Sequence, residues 1–400
     1  MNSILSDRIL NMEESATLAM AKKARELKSQ GIDIIGLSLG EPDFKTPKHI
    51  QEAAKAAIDE GKYFAYPPVA GYQDLREAIA KKLREENAIE QAKAENIVVS
   101  VGAKHSIANT FMCIINEGDE VVIFSPYWVS YAEIIKLCGG VPVLIEGNLE
   151  NNFKATAAQL EAAITPKTKA VIYSSPCNPT GSVFSKEELE AIAEVVKKHE
   201  NIVVIADEIY ELINFEGKNY SIASFPGMFE RTVTVNGFSK GYAMTGWRVG
   251  YICAPLEISK AVEKMQGQFT SGNTGIAQRA ALAGITGDQT PSREMTQAYF
   301  KRRALVLDLL RDIPGIKTHV PEGAFYFFPD VTAFFGKSAH GQTINNADDL
   351  CLYLLSVANV SLVTGAAFGA PNCVRLSYAA SEEDLVEALK RIKKALGELA

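Results

Sequence analysis

No apolar run in the chain approaches the ~20 residues that carry a helix across a bilayer, which excludes a helical membrane span. Its opening, MNSILSDRILNMEES, lacks an apolar stretch of signal-peptide length, and a cytoplasmic protein is expected. The six cysteines (Cys113, Cys138, Cys177, Cys253, Cys351 and Cys373) are scattered, with no CxxC pair. That counts against a disulfide framework and for reduced, mostly buried thiols. The five histidines form no HxxxH or similar spacing, so no metal is expected. Basic residues are not in excess. The net charge is -7, which argues against nucleic acid or a membrane surface as partner. There is no internal repeat, and no GxGxxG opens the first helix after a strand, which counts against a dinucleotide enzyme.

What is present suits a soluble enzyme. The chain has 400 residues, 47% hydrophobic and 22% charged, enough for a large core and two or three domains. Short apolar runs alternate with helical stretches: Ile97-Val98-Val99, Val121 to Phe124, Ala170 to Tyr173, Ile202 to Ile205, Val233-Thr234-Val235, and Val249 to Ile252. Runs this short, rich in β-branched residues and without alternation, suit parallel strands buried on both faces. Between them, Ser185-Lys-Glu-Glu188 is a capping box. Ile107, Phe111, Ile114 and Ile115 fall on one helical face after Gly102. Thr46-Pro47 reads as an N-cap followed by proline at the first helical position.

The expected fold class is α/β. A large domain over residues 46–285 carries a mostly parallel sheet flanked by helices. A smaller α+β domain comes from residues 1–45 and 286–400. Its signals are a charged helix around EMTQAYFKRRALVLDLLRD and strands at Gly323 to Phe328 and Val374 to Ser377. Ser381-Glu-Glu-Asp384 caps a final amphipathic helix.

Ligands in such sheets sit beyond the carboxyl ends of the strands. Reading each run to its end gives Gly102-Ala103-Lys104, Ser125-Pro-Tyr-Trp128, Ser174 to Gly181 with Asn178, Asp207-Glu-Ile-Tyr210, and Gly237-Phe-Ser239-Lys240 followed by Trp247-Arg248. Together these suit a phosphorylated aromatic cofactor. Amides at a helix start hold phosphate, and Ser239 and Arg248 add a hydroxyl and a bidentate cation. Trp128 offers a flat face. Asp207 can pair with a protonated ring nitrogen, and Tyr210 and Asn178 can bond a phenolic oxygen. Lys240 supplies an amine once its pKa is lowered.

Asn236-Gly-Phe-Ser-Lys-Gly-Tyr-Ala-Met-Thr-Gly-Trp-Arg-Val-Gly250 resembles the lysine motif of class I aminotransferases, pyridoxal 5'-phosphate (PLP) enzymes of fold type I. Ser175-Pro-Cys-Asn-Pro-Thr-Gly181, Asp207-Glu-Ile-Tyr210, Gly40-Glu-Pro-Asp-Phe44, Tyr66-Pro-Pro-Val-Ala-Gly71 and Arg375-Leu-Ser377 are similar to that family's other motifs, in order. The likeness covers nearly the whole chain. Within the family it is similar to bacterial aspartate aminotransferases, in the branch with prephenate and aromatic enzymes.

The resemblance implies roles residue by residue. Lys240 would form the Schiff base with PLP and carry the proton. Asp207 would hold the ring nitrogen protonated. Tyr210 and Asn178 would bind the ring oxygen, and Trp128 would stack on the ring. Gly102, Ala103, Lys104, Ser239 and Arg248 would form the phosphate cup, with Tyr66 reaching it from a partner subunit of a homodimer. Arg375 would grip the substrate α-carboxylate, helped by Asn178, Trp128 and the Gly40 backbone. Ser15 and Thr17 resemble side-chain-binding hydroxyls. Two positions depart from the pattern. Gly237 stands where some relatives have a phosphate-binding hydroxyl. Met112 stands where one branch has a lysine for the second carboxylate of a dicarboxylic substrate.

The implied activity is ping-pong transamination from an L-amino acid, aspartate first, to a 2-oxo acid, 2-oxoglutarate first. Prephenate or aromatic transamination and a PLP-dependent β-lyase are the alternatives. A regulatory module would need a basic helix-turn-helix before the first motif, and none is there. His105, beside the cup, reads as a packing residue.

Overall fold

The computed structural model describes residues 4–400, so the first three residues of the expected segment 1–45 lie outside the described residues. Its centre is a seven-stranded sheet. In chain order the strands are β1 (Ile97–Ser100), β2 (Glu120–Ser125), β3 (Val141–Glu146), β4 (Thr168–Ser174), β5 (Val203–Asp207), β6 (Thr232–Gly237) and β7 (Gly250–Cys253). They lie side by side in the order β1-β7-β6-β5-β4-β2-β3. The pairs from β6 through β5, β4 and β2 to β3 are parallel. Every residue of β1 and β7 is buried, as the unbroken apolar runs require for a sheet covered on both faces.

Two expectations need correction here. The run Val249 to Ile252 was expected parallel, yet β7 runs antiparallel to both β1 and β6. A strand buried on both faces has the same apolar composition in either direction, so its direction cannot be read from the run. Thr46 is not the N-cap. Pro47 takes that place, and the helix is Lys48–Glu60. The Thr46 hydroxyl instead donates to the Ala243 carbonyl at 2.6 Å and accepts from the Trp247 indole at 3.0 Å.

Helices cover the sheet with the caps their sequences specify. Ser185 accepts from the Glu188 amide at the start of Lys186–Lys197, in a full capping box. The helix after β1, Ala103–Ile114, buries Ile107 and Phe111 against the sheet.

A second core is built from other parts of the chain. Ile35 and Leu37 pack with Tyr299, Phe325, Phe327, Leu376, Leu385 and Leu389. Strand Val374–Ser377 pairs antiparallel with Val363–Thr364 and with Tyr326–Phe327. The expected strand at Gly323 to Phe328 is thus reduced to two residues. The long helix Thr290–Arg311 borders this core, and its Arg302 holds Asp43 at 2.7 Å. That ion pair fixes the segment following Gly40. Ser381 caps Glu382–Gly397 by accepting from the Asp384 amide.

Candidate active site

The carboxyl ends of the parallel strands open into a cavity of about 460 Å3. Ser15, Thr17, Gly40, Ala103, Lys104, Trp128, Asn178, Asp207, Tyr210, Ser239, Lys240, Arg248 and Arg375 all line it. The expected site residues therefore converge, with two exceptions. Gly102 sits just behind the wall. Tyr66 is 91% exposed and is not part of the wall. Met112 lies on Ala103–Ile114, also outside the wall.

One end of the cavity is an anion cup. Gly102, two residues past β1, is the N-cap with φ +81° of the helix that starts at Ala103, so free first-turn amides lie at the cavity wall. A Cβ on Gly102 would lie 2.2 Å from an Arg248 guanidinium nitrogen, so only glycine admits that arginine. Arg248 has φ +57° and donates to the Thr245 carbonyl at 2.9 Å. No salt bridge to it is present among the described residues. Lys104 Nζ sits 4.8 Å from the centre of the Trp128 ring. His105 accepts the Val101 amide at 3.2 Å through Nδ1, and burial holds its pKa down.

The floor carries Asp207, only 4% exposed. Burial pushes its pKa up to about 6, and this outweighs the opposing pull of Tyr131, the Ile209 amide and Lys240. The Tyr131 hydroxyl donates to Asp207 Oδ2 at 2.5 Å, and the Ile209 amide donates to Oδ1 at 3.2 Å.

Lys240 follows β6 in a tight turn. Its Nζ donates to the Gly40 carbonyl at 2.5 Å. Burial lowers its pKa to about 8. Glu41 and Asp207 pull the other way, and Arg375 and Arg248 reinforce the shift. Gly40 must be glycine for a steric reason, since a Cβ there would meet the Tyr326 hydroxyl at 2.1 Å. That hydroxyl shares a hydrogen bond of 2.6 Å with the Tyr210 hydroxyl.

At the far wall Arg375 is 1% exposed. One terminal nitrogen donates to Asn178 Oδ1 at 2.8 Å and the other to the Ser38 carbonyl at 2.6 Å. Its Nε has no partner. Tyr326 and Phe368 lie against the guanidinium at 4.6 and 4.8 Å from their ring centres. No carboxylate among the described residues forms a salt bridge with it. A buried cation with an unmet donor costs about 1–3 kcal/mol, which an entering carboxylate would offset. Ser15 stands at the N-cap of Ala16–Ser29 with no side-chain cap bond, leaving its hydroxyl to the cavity.

Sequence reasoning missed Tyr131 and Tyr326. Tyr131 lies three residues past Trp128, in the first turn of the helix Ser130–Leu137, and its ring meets the Trp128 ring; that spacing was the available signal. Tyr326 sits inside an aromatic run that reads as core. Thr245 and Gly246, also in the wall, were passed over between Lys240 and Arg248.

A cup for an anion, an aromatic face at Trp128, a buried carboxylate, a lysine of lowered pKa and an unpaired arginine define a fold and site of transaminase type. The family model for aminotransferase class I and II matches residues 32–392, and the chain belongs to this family. It is similar to the aspartate aminotransferase of Geobacillus stearothermophilus, 45% identical over 392 residues, 98% of each chain. It is also similar to a probable aspartate/prephenate aminotransferase of Rhizobium leguminosarum bv. phaseoli, 44% identical over 99% of each. Among solved structures, the aspartate aminotransferase of Thermus thermophilus with maleate superposes with a TM-score of 0.92 at 42% identity, over 99% of this chain and 100% of that one. That of Rhizobium meliloti superposes with a TM-score of 0.95 at 40% identity, over the whole of both chains.

Proposed function

We propose that the chain is a PLP-dependent aminotransferase that moves the amino group of an L-amino acid, aspartate first, to a 2-oxo acid, 2-oxoglutarate first. The observation that carries this reading is the convergence of Lys240, Asp207 and Arg375 on one cavity. The residues present fit the cofactor. The Gly102 cradle admits Arg248 beside free helix amides, which suits a phosphate. Asp207, buried and held by two donors, suits a cationic ring nitrogen. Ser239, Lys104, Tyr210 and Asn178 would complete the contacts, with Trp128 over the ring. When bound, PLP supplies an electron sink that makes the substrate's Cα–H bond acidic.

The chain's own residues do the rest. Arg375 binds the α-carboxylate by its unmet donor and orients the substrate, with Asn178 keeping the guanidinium plane fixed. Lys240, neutral above its lowered pKa, takes the proton from the substrate α-carbon and returns it on the product side. Asp207 holds a proton at the ring nitrogen. Ser15 and Thr17 offer hydroxyls to the substrate side chain, and Met112 leaves a dicarboxylate without the lysine some relatives use.

A prephenate acceptor is the second reading, and it is favoured by the likeness to enzymes named for both substrates. The test is a panel of amino donors against 2-oxoglutarate and prephenate, ranked by kcat/KM. Turnover of an amino acid without any 2-oxo acid would replace the reading with a β-lyase.

The same proposal takes the chain as a cytoplasmic homodimer in which Tyr66 of one subunit reaches the cup of the other. It divides each chain into a large domain, 46–285, and a small one, 1–45 with 286–400. In support, Tyr66 lies bare on the surface and the two segments of the small part share one core. A fully active monomer in sedimentation would remove the shared site. No helix among the described residues is long and apolar enough to cross a membrane.

A further inference from the structure

Tyr131 has entered so far only as one of the two donors to Asp207. It is buried to 1% exposure, and its hydroxyl points at Asp207 Oδ2. Its ring meets Trp128 edge-on, centroids 5.5 Å apart and planes at 82°. One short helix start therefore carries both the flat face of the cavity and a donor to the carboxylate on its floor. Four groups face Asp207: Tyr131 from the helix Ser130–Leu137, Cys177 from the turn after β4, Lys240 from the turn after β6, and Tyr210 from its own turn. Of these, Tyr131 alone donates a hydrogen bond to it, the other bond coming from the Ile209 amide.

We propose that Tyr131 is the positioning residue of the site, fixing the orientation of the Asp207 carboxylate and keeping it anionic. The physical reason is a balance. Burial drives Asp207 towards its neutral form, in which it would have no charge to offer a ring nitrogen. A hydrogen bond donated to the charged form opposes that drive, and a charged acceptor makes the bond stronger than a neutral one. The proton stays on the phenol, because burial and the neighbouring Asp207 hold the Tyr131 hydroxyl well above the usual tyrosine range. Without the phenol, Oδ2 loses its donor in a place that water does not freely reach. The carboxylate then takes up a proton at higher pH. The inference rests on the reading of Asp207 as the ring-nitrogen partner, and the experiment separates the two.

The Asp207 carboxyl is titrated by 13C NMR in the cofactor-free full chain, with its signal assigned by loss in Asp207→Asn. Tyr131→Phe should move the midpoint to higher pH and weaken PLP binding roughly tenfold, the loss expected for one hydrogen bond to a charged group. Fluorinated tyrosine at position 131 keeps the ring and sharpens the donor, so it should move the midpoint to lower pH. It also keeps the test open if Tyr131→Phe fails to fold. Midpoints unchanged in both variants overturn the proposal. A moved midpoint with PLP affinity intact in Asp207→Asn leaves the clamp standing and removes the ring-nitrogen role instead.

Discussion

Lys240 and Gly40 lie 200 residues apart in sequence, yet the lysine ammonium donates to the glycine carbonyl at 2.5 Å. The contact ties the turn after the last parallel strand to the segment that enters the second core. It also leaves the amine unbound to any carboxylate, so displacing it costs one hydrogen bond and no ion pair.

Lys240→Ala should lower transamination by at least about a thousandfold, since the other amine in the wall, Lys104, is held over the Trp128 ring and away from the Lys240 position. Borohydride treatment of the PLP-loaded protein should fix the cofactor to the wild type at Lys240 and leave the variant unlabelled by mass spectrometry. Labelling at Lys104 instead would reassign the amine.

The pH dependence of that amine follows from its burial. Removing water disfavours the ammonium form, so Lys240 loses its proton near pH 8, where a solvated lysine would keep it. The neutral amine is the nucleophile, so capture of PLP by the cofactor-free protein should speed up as pH rises and level off above about 8. A rate still climbing towards the ordinary lysine range, followed by stopped-flow absorbance, would contradict this.

Arg375→Lys should raise KM for amino acid substrates about a hundredfold, with a smaller fall in kcat. An ammonium cannot hold Asn178 and Ser38 in one plane and still present a free donor. The split between KM and kcat in steady-state assays is the measurement, and equal losses in both would place Arg375 in the chemical step.

Gly102→Ala should weaken PLP binding by roughly tenfold or more, because the new methyl group displaces the Arg248 guanidinium and strains a left-handed backbone. Fluorescence titration checks this. Inorganic phosphate should also protect the variant less than the wild type against thermal unfolding.

Ser185→Ala, far from the cavity, should cost about 1 kcal/mol of stability through the lost cap and leave turnover unchanged. Urea unfolding with a parallel activity assay reads both.

Most of the sheet could be read from the sequence because a strand buried on both faces needs no polar face, and β4 and β5 announce themselves as apolar runs. Strand β3 escaped because it is the solvent-exposed edge, whereas β1, at the other edge, is buried throughout. Of the six residues of β3 only Ile145 is buried, and Pro142 within it is a residue that an edge tolerates. The direction of β7 escaped because pairing leaves no mark on a doubly covered strand. The residues expected to touch a ligand were legible where a strand ended in polar side chains. Tyr131 and Tyr326 were not, since each acts on another side chain, and a buried tyrosine reads first as core. Tyr66 lies on the surface of the single chain, and only the proposed partner subunit would bring it to a cup.

The antiparallel return of β7 has a last consequence. β6 and β7 face each other in register, with Gly237 opposite Gly250, so the chain between them is a closed loop anchored at both ends. Lys240 stands near one anchor and Arg248 near the other. The span from amine to anion cup is therefore set by covalent chain length, as on a calliper locked at one opening. Sugar phosphates or nucleotides that place the anion nearer to or farther from the carbonyl carbon would reach one jaw and miss the other.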